Sequence, residues 1–137
     1  MRAVDTNVLV RLAVRDEARQ VEAAEAFIAS GAWVSQLVLL EFVWVLKSVY
    51  EFGRADVGSA VEILLNHAQL TVEDSDVVEA ALGQFRKAGA VSFSDCLVIE
   101  VARRAGHLPL GTFDRDLARL SGVQQLDVRG GRTKGSS

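Results

Sequence analysis

Asp5, Asp95 and Asp114 each stand where a helical pattern begins, and Asp5 and Asp114 directly follow short apolar runs. Glu41 stands inside LVLLEFVWVLKSVY (residues 37–50), a helical segment that is apolar on nearly every side. Such a helix is expected to be buried, and a buried carboxylate is costly unless it is paired or binds a metal. Leu37, Val38, Trp44 and Val45, three and four positions away on the helix, offer it no cation. An edge position that reaches solvent, or an ion pair with another element, is the other reading of Glu41. The aspartates, Asp116 included, also have a plain reading, as N-caps or first-turn acids of helices. The case for chemistry lies in the set. In open parallel α/β sheets, ligands bind just beyond the carboxyl ends of the strands. A parallel sheet would bring Asp5 and Asp114 to that edge, with Asp95 beside them and Glu41 packed near. Carboxylates crowded together cannot all stay ionised unassisted, and a divalent cation removes the conflict. No His or Cys accompanies them, and oxygen-only ligands favour a hard ion such as Mg²⁺ or Mn²⁺.

The elements that must position these acids read as short strands alternating with helices. Strands are expected at residues 2–4, 32–34, 70–72, 108–112 and 123–128. Helical spacing runs from Val8 through Leu12, then over residues 17–30, 37–50, 75–87 and 94–105, with a short helix over 115–120. A further helix follows Asp56, read as its cap, through Val57, Val61 and Leu64. Ser35 is placed to cap the helix holding Glu41, and Gly31 and Gly106 are natural stops. This alternation implies a three-layer α/β/α architecture around a short-stranded, mainly parallel central sheet. Residues 1–129 are expected to form one domain. The tail, 130–137 (GGRTKGSS), has no apolar content and is expected to be disordered.

Composition sets the frame. In a chain of 137 residues, 50% are hydrophobic and 24% charged, which fits a globular protein with a core. The net charge of −3 points to no nucleic-acid partner by itself, so phosphate binding must come from local patches or a bound cation. The single cysteine, Cys96, excludes an internal disulfide. No signal peptide or membrane-spanning run is read, so the expected location is cytoplasmic, with no membrane partner.

Four segments together resemble the PIN-domain nucleases, and more narrowly VapC-type toxins of toxin–antitoxin pairs: VDTNVLVRL (residues 4–12), LLEF around Glu41, FSDCLV (93–98) and GTFDRDL (111–117). The resemblance implies a metal-dependent endoribonuclease that leaves a 5′-phosphate and a 3′-hydroxyl. It assigns catalysis to Asp5, Glu41, Asp95 and Asp114. Metal binding falls to Asp5, Asp95, Asp114 and Asp116, with Mg²⁺ the expected ion and Mn²⁺ able to replace it. Asn7 and Thr112 match polar residues that orient the acids. The implied partners are RNA, a cognate VapB-type antitoxin and a second copy of the chain. Arg11, Lys47, Arg54, Arg115 and Arg119 are candidates to hold RNA backbone, each with a solvated surface charge as the plainer reading.

Two other functions compete. A PIN-like interaction domain without activity would be expected to lose an acid, and none is missing. An aspartyl-nucleophile phosphatase of the dehalogenase kind needs a second acid two residues after the first, where Asn7 stands. His67 and His107 near helix ends and Cys96 read as structural, and Trp33, Phe42, Trp44 and Tyr50 mostly as core packing.

Overall fold

A computed structural model of the chain describes residues 1–128. The tail expected at 130–137 lies outside the described residues, as does residue 129, the expected end of the domain. The chain divides into two compact units, Met1–Glu79 and the chain from Ala80 onward.

In the first unit the strands are β1 (Arg2–Ala3), β2 (Ala32–Val34) and β3 (Leu70–Val72). They pair in parallel in the order β1-β2-β3, with Arg2 opposite Ala32 and Ala32 opposite Leu70. Parallel pairing requires crossovers, and helices supply them. α1 (Thr6–Val14) and α2 (Ala18–Ile28) connect β1 to β2, and α3 (Gln36–Ser48) and α4 (Arg54–Asn66) connect β2 to β3. Ala32, Val34, Leu70 and Val72 are buried, whereas Trp33 and Thr71 between them are exposed, the alternation of a pleated strand. Leu9, Leu39, Phe42, Leu46 and Val61 are completely enclosed and form the heart of this unit.

Because all three strands run the same way, their carboxyl ends share one edge. Asp5, Ser35 and Glu73 follow β1, β2 and β3 there. Ser35 caps α3 as expected, its Oγ accepting from Val38 N at 3.1 Å. Glu73 supplies a second cap, its Oε1 accepting from Gln36 N at 2.9 Å. α4 starts earlier than expected. Gly53 is its N-cap, and Asp56 lies in its first turn, where a negative charge still meets the helix dipole.

α5 (Ser75–Lys87) carries the boundary between the units. The second unit continues through α6 (Phe93–Ala105), β4 (Leu110–Thr112) and β5 (Val123–Gln125). β4 and β5 pair in parallel, Leu110 opposite Val123. The short helix expected over 115–120 is a single 3₁₀ turn, Leu117–Arg119. Phe85 and Phe93 meet edge to face, with ring centroids 5.9 Å apart. Gly106 closes α6 with φ of 82°, a left-handed conformation suited to glycine.

A polar tie runs across this unit. Glu100 is buried on α6 and accepts from Gln84 Nε2 at 3.4 Å and Arg103 Nε at 3.3 Å. Arg103 also donates to the Ser121 carbonyl at 2.8 Å. The C-terminal part of α6 is thereby held beside the entry to β5. Among the described residues no helix is long and apolar enough to cross a membrane.

Candidate active site

Asp5 ends the β1 segment and is the N-cap of α1, its Oδ1 accepting from Val8 N at 3.2 Å. The residue is exposed, and its second carboxylate oxygen makes no hydrogen bond to the described residues. Capping and ligand binding are therefore compatible, because each uses a different oxygen.

Thr6 follows, buried at 7% exposure, and its hydroxyl donates to Glu41 Oε1. Glu41 lies on α3 and is exposed, not enclosed as the apolar surroundings predicted. The reason is directional. Leu37, Glu41 and Trp44 fall at four- and three-residue spacing on one stripe of α3, and that stripe faces solvent, with Leu37 81% and Trp44 64% exposed. Phe42, Val43 and Leu46 fill the opposite side. Glu41 is thus a surface carboxylate tethered to the start of α1. The contact that orients it comes from Thr6 rather than Asn7, whose side chain is exposed and makes no hydrogen bond to the described residues.

In the second unit, Asp95 occupies the first turn of α6 and is half-buried. Its backbone N–H donates to Ser92 Oγ at 3.1 Å, so Ser92 performs the capping. The Asp95 carboxylate makes no hydrogen bond to the described residues. Asp114 follows β4. Its N–H donates to Thr112 Oγ1 at 3.0 Å, and its Oδ1 accepts from Asp116 N at 2.8 Å and Leu117 N at 3.2 Å. Thr112 thus orients the Asp114 backbone, and Asp114 organises the turn that carries Asp116. Asp116 stands 4.0 Å from Arg119, an exposed pair that contributes negligibly.

Among the described residues, no group of three or more His, Cys, Asp or Glu side chains is placed to hold a metal ion by itself. The acids of the first unit come together only as far as the Asp5-Thr6 segment and Glu41, and those of the second as Asp114 and Asp116. Of the basic candidates, Arg11 is fixed by Asp16 Oδ1 at 2.6 Å and Tyr50 Oη at 2.7 Å. Lys47 and Arg115 are exposed and have no partner among the described residues. Thr6 is the site residue that sequence reasoning passed over. Its signal was present, since Thr6, Leu9 and Val10 share a helical face, and a hydroxyl on a buried face needs an acceptor.

Comparison with known proteins adds two matches. The family model of the PIN domain matches residues 2–123. A protein of Aquifex aeolicus described as VapC ribonuclease is 28% identical over 126 residues, which cover 88% of this chain and 92% of that one. No solved structure matches significantly.

Proposed function

This chain belongs to the PIN-domain family, and from that membership we propose that it is a divalent-metal-dependent endoribonuclease, the toxin of a toxin–antitoxin pair. Its helices and short parallel strands make the PIN-like α/β fold expected of the sequence. The similarity to a VapC ribonuclease over most of both chains supports the RNA substrate and the toxin role.

The observation that carries the reading is the state of the acids. Asp5 and Asp114 each spend one oxygen on backbone N–H groups and keep the other, and Asp95 keeps both. Ordered carboxylates with unspent oxygens at strand and helix ends suit a hard cation. Mg²⁺ is held by one or two carboxylates and completes its shell with waters and substrate phosphates. It needs no protein cage, in keeping with the lack of a closed ligand group among the described residues. Asp5 and Asp95 are the proposed direct ligands, with Asp114 as a further ligand or a holder of the ion's waters and Asp116 assisting. When bound, the cation supplies acidification of water and neutralises charge on the phosphate oxygens. Glu41, held by Thr6, orients the attacking water and accepts its proton. Lys47 and Arg115 are free to meet flanking phosphates. No covalent intermediate with the protein is required. Partners in the same proposal are a VapB-type antitoxin and a second copy of the chain.

The test is cleavage of RNA by purified protein with Mg²⁺ or Mn²⁺, and its arrest by EDTA. Asp5→Asn is a clean variant, because asparagine caps a helix as well as aspartate does. It removes charge without removing the cap. Asp5→Asn and Asp95→Asn are expected to abolish cutting with circular dichroism unchanged. Normal cutting by both variants would refute the site.

A further inference from the structure

Resting on the nuclease reading, we propose that a depression between α1 and α2 seats a purine base of the RNA strand next to the cut. The depression has a volume of about 490 Å³, within the range of small-ligand pockets. Asn7 and Val8 line it from α1, and Gln20, Ala23, Ala24 and Phe27 from one face of α2.

Its chemistry is that of a base-binding site. Asn7 and Gln20 each offer one acceptor and two donors, and neither side chain makes a hydrogen bond to the described residues. The rest of the lining is apolar except for Arg11, whose guanidinium is held by Asp16 and Tyr50. Ala23 and Ala24 leave the space open, and Phe27 supplies an aromatic surface. That ring is fixed in place. The Arg2 guanidinium lies 3.8 Å from its centroid, and Arg2 also donates to the Phe27 carbonyl at 2.7 Å. Unpaired bases of single-stranded RNA are recognised in this way, with a face on an aromatic ring and an edge on polar side chains. A carboxamide pairs in bidentate fashion with adenine, which presents a donor beside an acceptor.

The depression is also in the right place. Asn7 is two residues beyond Asp5 in the first turn of α1, so the Cα atoms of the two residues lie at most about 7 Å apart. A nucleotide whose phosphate meets Asp5 can reach it with its base. A protein side chain is the less suitable occupant, because an apolar group would dehydrate both amides without pairing them. The first unit has another depression, of about 640 Å³, whose lining includes Leu12, Phe52, Ile63 and Leu64 and suits an apolar segment better.

The experiment maps cut sites in a random single-stranded RNA pool for the wild type, Gln20→Leu and Ala23→Leu. Gln20 and Ala23 are exposed and outside the acidic machinery, so both variants are expected to fold and cut. The wild type should prefer adenine at one position flanking the cut. Gln20→Leu should reduce that preference about tenfold, the discrimination of one bidentate pair, and Ala23→Leu should reduce it by filling the space the base would occupy. Unchanged preference in both variants overturns the proposal, as does a wild type indifferent to flanking bases. A second measurement needs no cleavage. Adenosine monophosphate should shift the side-chain amide NMR signals of Asn7 and Gln20, and ribose 5-phosphate should not. If adenosine monophosphate shifts neither signal, the base site is wrong even in an active nuclease. If it shifts both in a protein that cuts no RNA, the base site stands and the nuclease reading fails. Variants that cut normally but escape an inhibitory protein would assign the depression to a protein partner and overturn the proposal.

Discussion

Replacing Thr6 with valine removes one hydroxyl and keeps the shape of the side chain. Thr6 is buried, and its hydroxyl donates to a carboxylate on a helix 35 residues away in sequence. A hydrogen bond to a charged group contributes roughly 1.5–3 kcal/mol. Glu41 is exposed and regains water when the donor is lost, which places the cost near the low end, about 1.5 kcal/mol. No cavity term is added, and both residues are β-branched, so helix propensity changes little. For a chain of this length that corresponds to a fall in Tm of roughly 4–6 °C. The kinetic consequence separates positioning from mere stability. If Glu41 acts only when held by Thr6, loss of about 1.4 kcal/mol of positioning lowers kcat about tenfold and leaves KM unchanged. Thr6→Ser, which restores the hydroxyl, should recover most of that loss. The decisive assay is a double-mutant cycle of Thr6→Val with Glu41→Ala, read by chemical denaturation. A coupling of about 1 kcal/mol or more is expected, and additivity within about 0.3–0.5 kcal/mol would refute the argument.

Two further substitutions probe the second unit. Ser92→Ala removes the side-chain cap that receives the Asp95 N–H, and should cost about 1 kcal/mol in urea denaturation, with faster hydrogen exchange confined to the first turn of α6. Glu100→Ala leaves Gln84 without its acceptor and frees one guanidinium nitrogen of Arg103. Because the Arg103 side chain is 35% exposed and keeps its bond to the Ser121 carbonyl, the expected loss is about 1–2 kcal/mol, below the cost of breaking a fully buried pair.

What the sequence made legible is what local rules decide. Short runs between helical segments located the three strands of the first unit, and the serine before α3 and the glycine after α6 marked real helix ends. Even the displaced start of α4 is a local error of three residues between Asp56 and Gly53. The site is a different matter, because its geometry depends on residues distant in the chain. Glu41 looked buried since hydropathy summed over α3 takes no account of which stripe faces outward, and Leu37 and Trp44 are as apolar as Phe42 and Leu46. Asn7 and Thr6 were indistinguishable as polar neighbours of a strand-end acid. The helical period separates them. Thr6 falls on the face shared with Leu9 and Val10 and is turned inward to Glu41, while Asn7 is turned out toward Gln20 and Phe27. A 100° step along α1 thus divides two adjacent side chains between holding an acid and lining a binding depression. The same step makes the two roles independently testable, since Thr6→Val should change kcat without moving the cut-site preference, and Gln20→Leu should do the reverse.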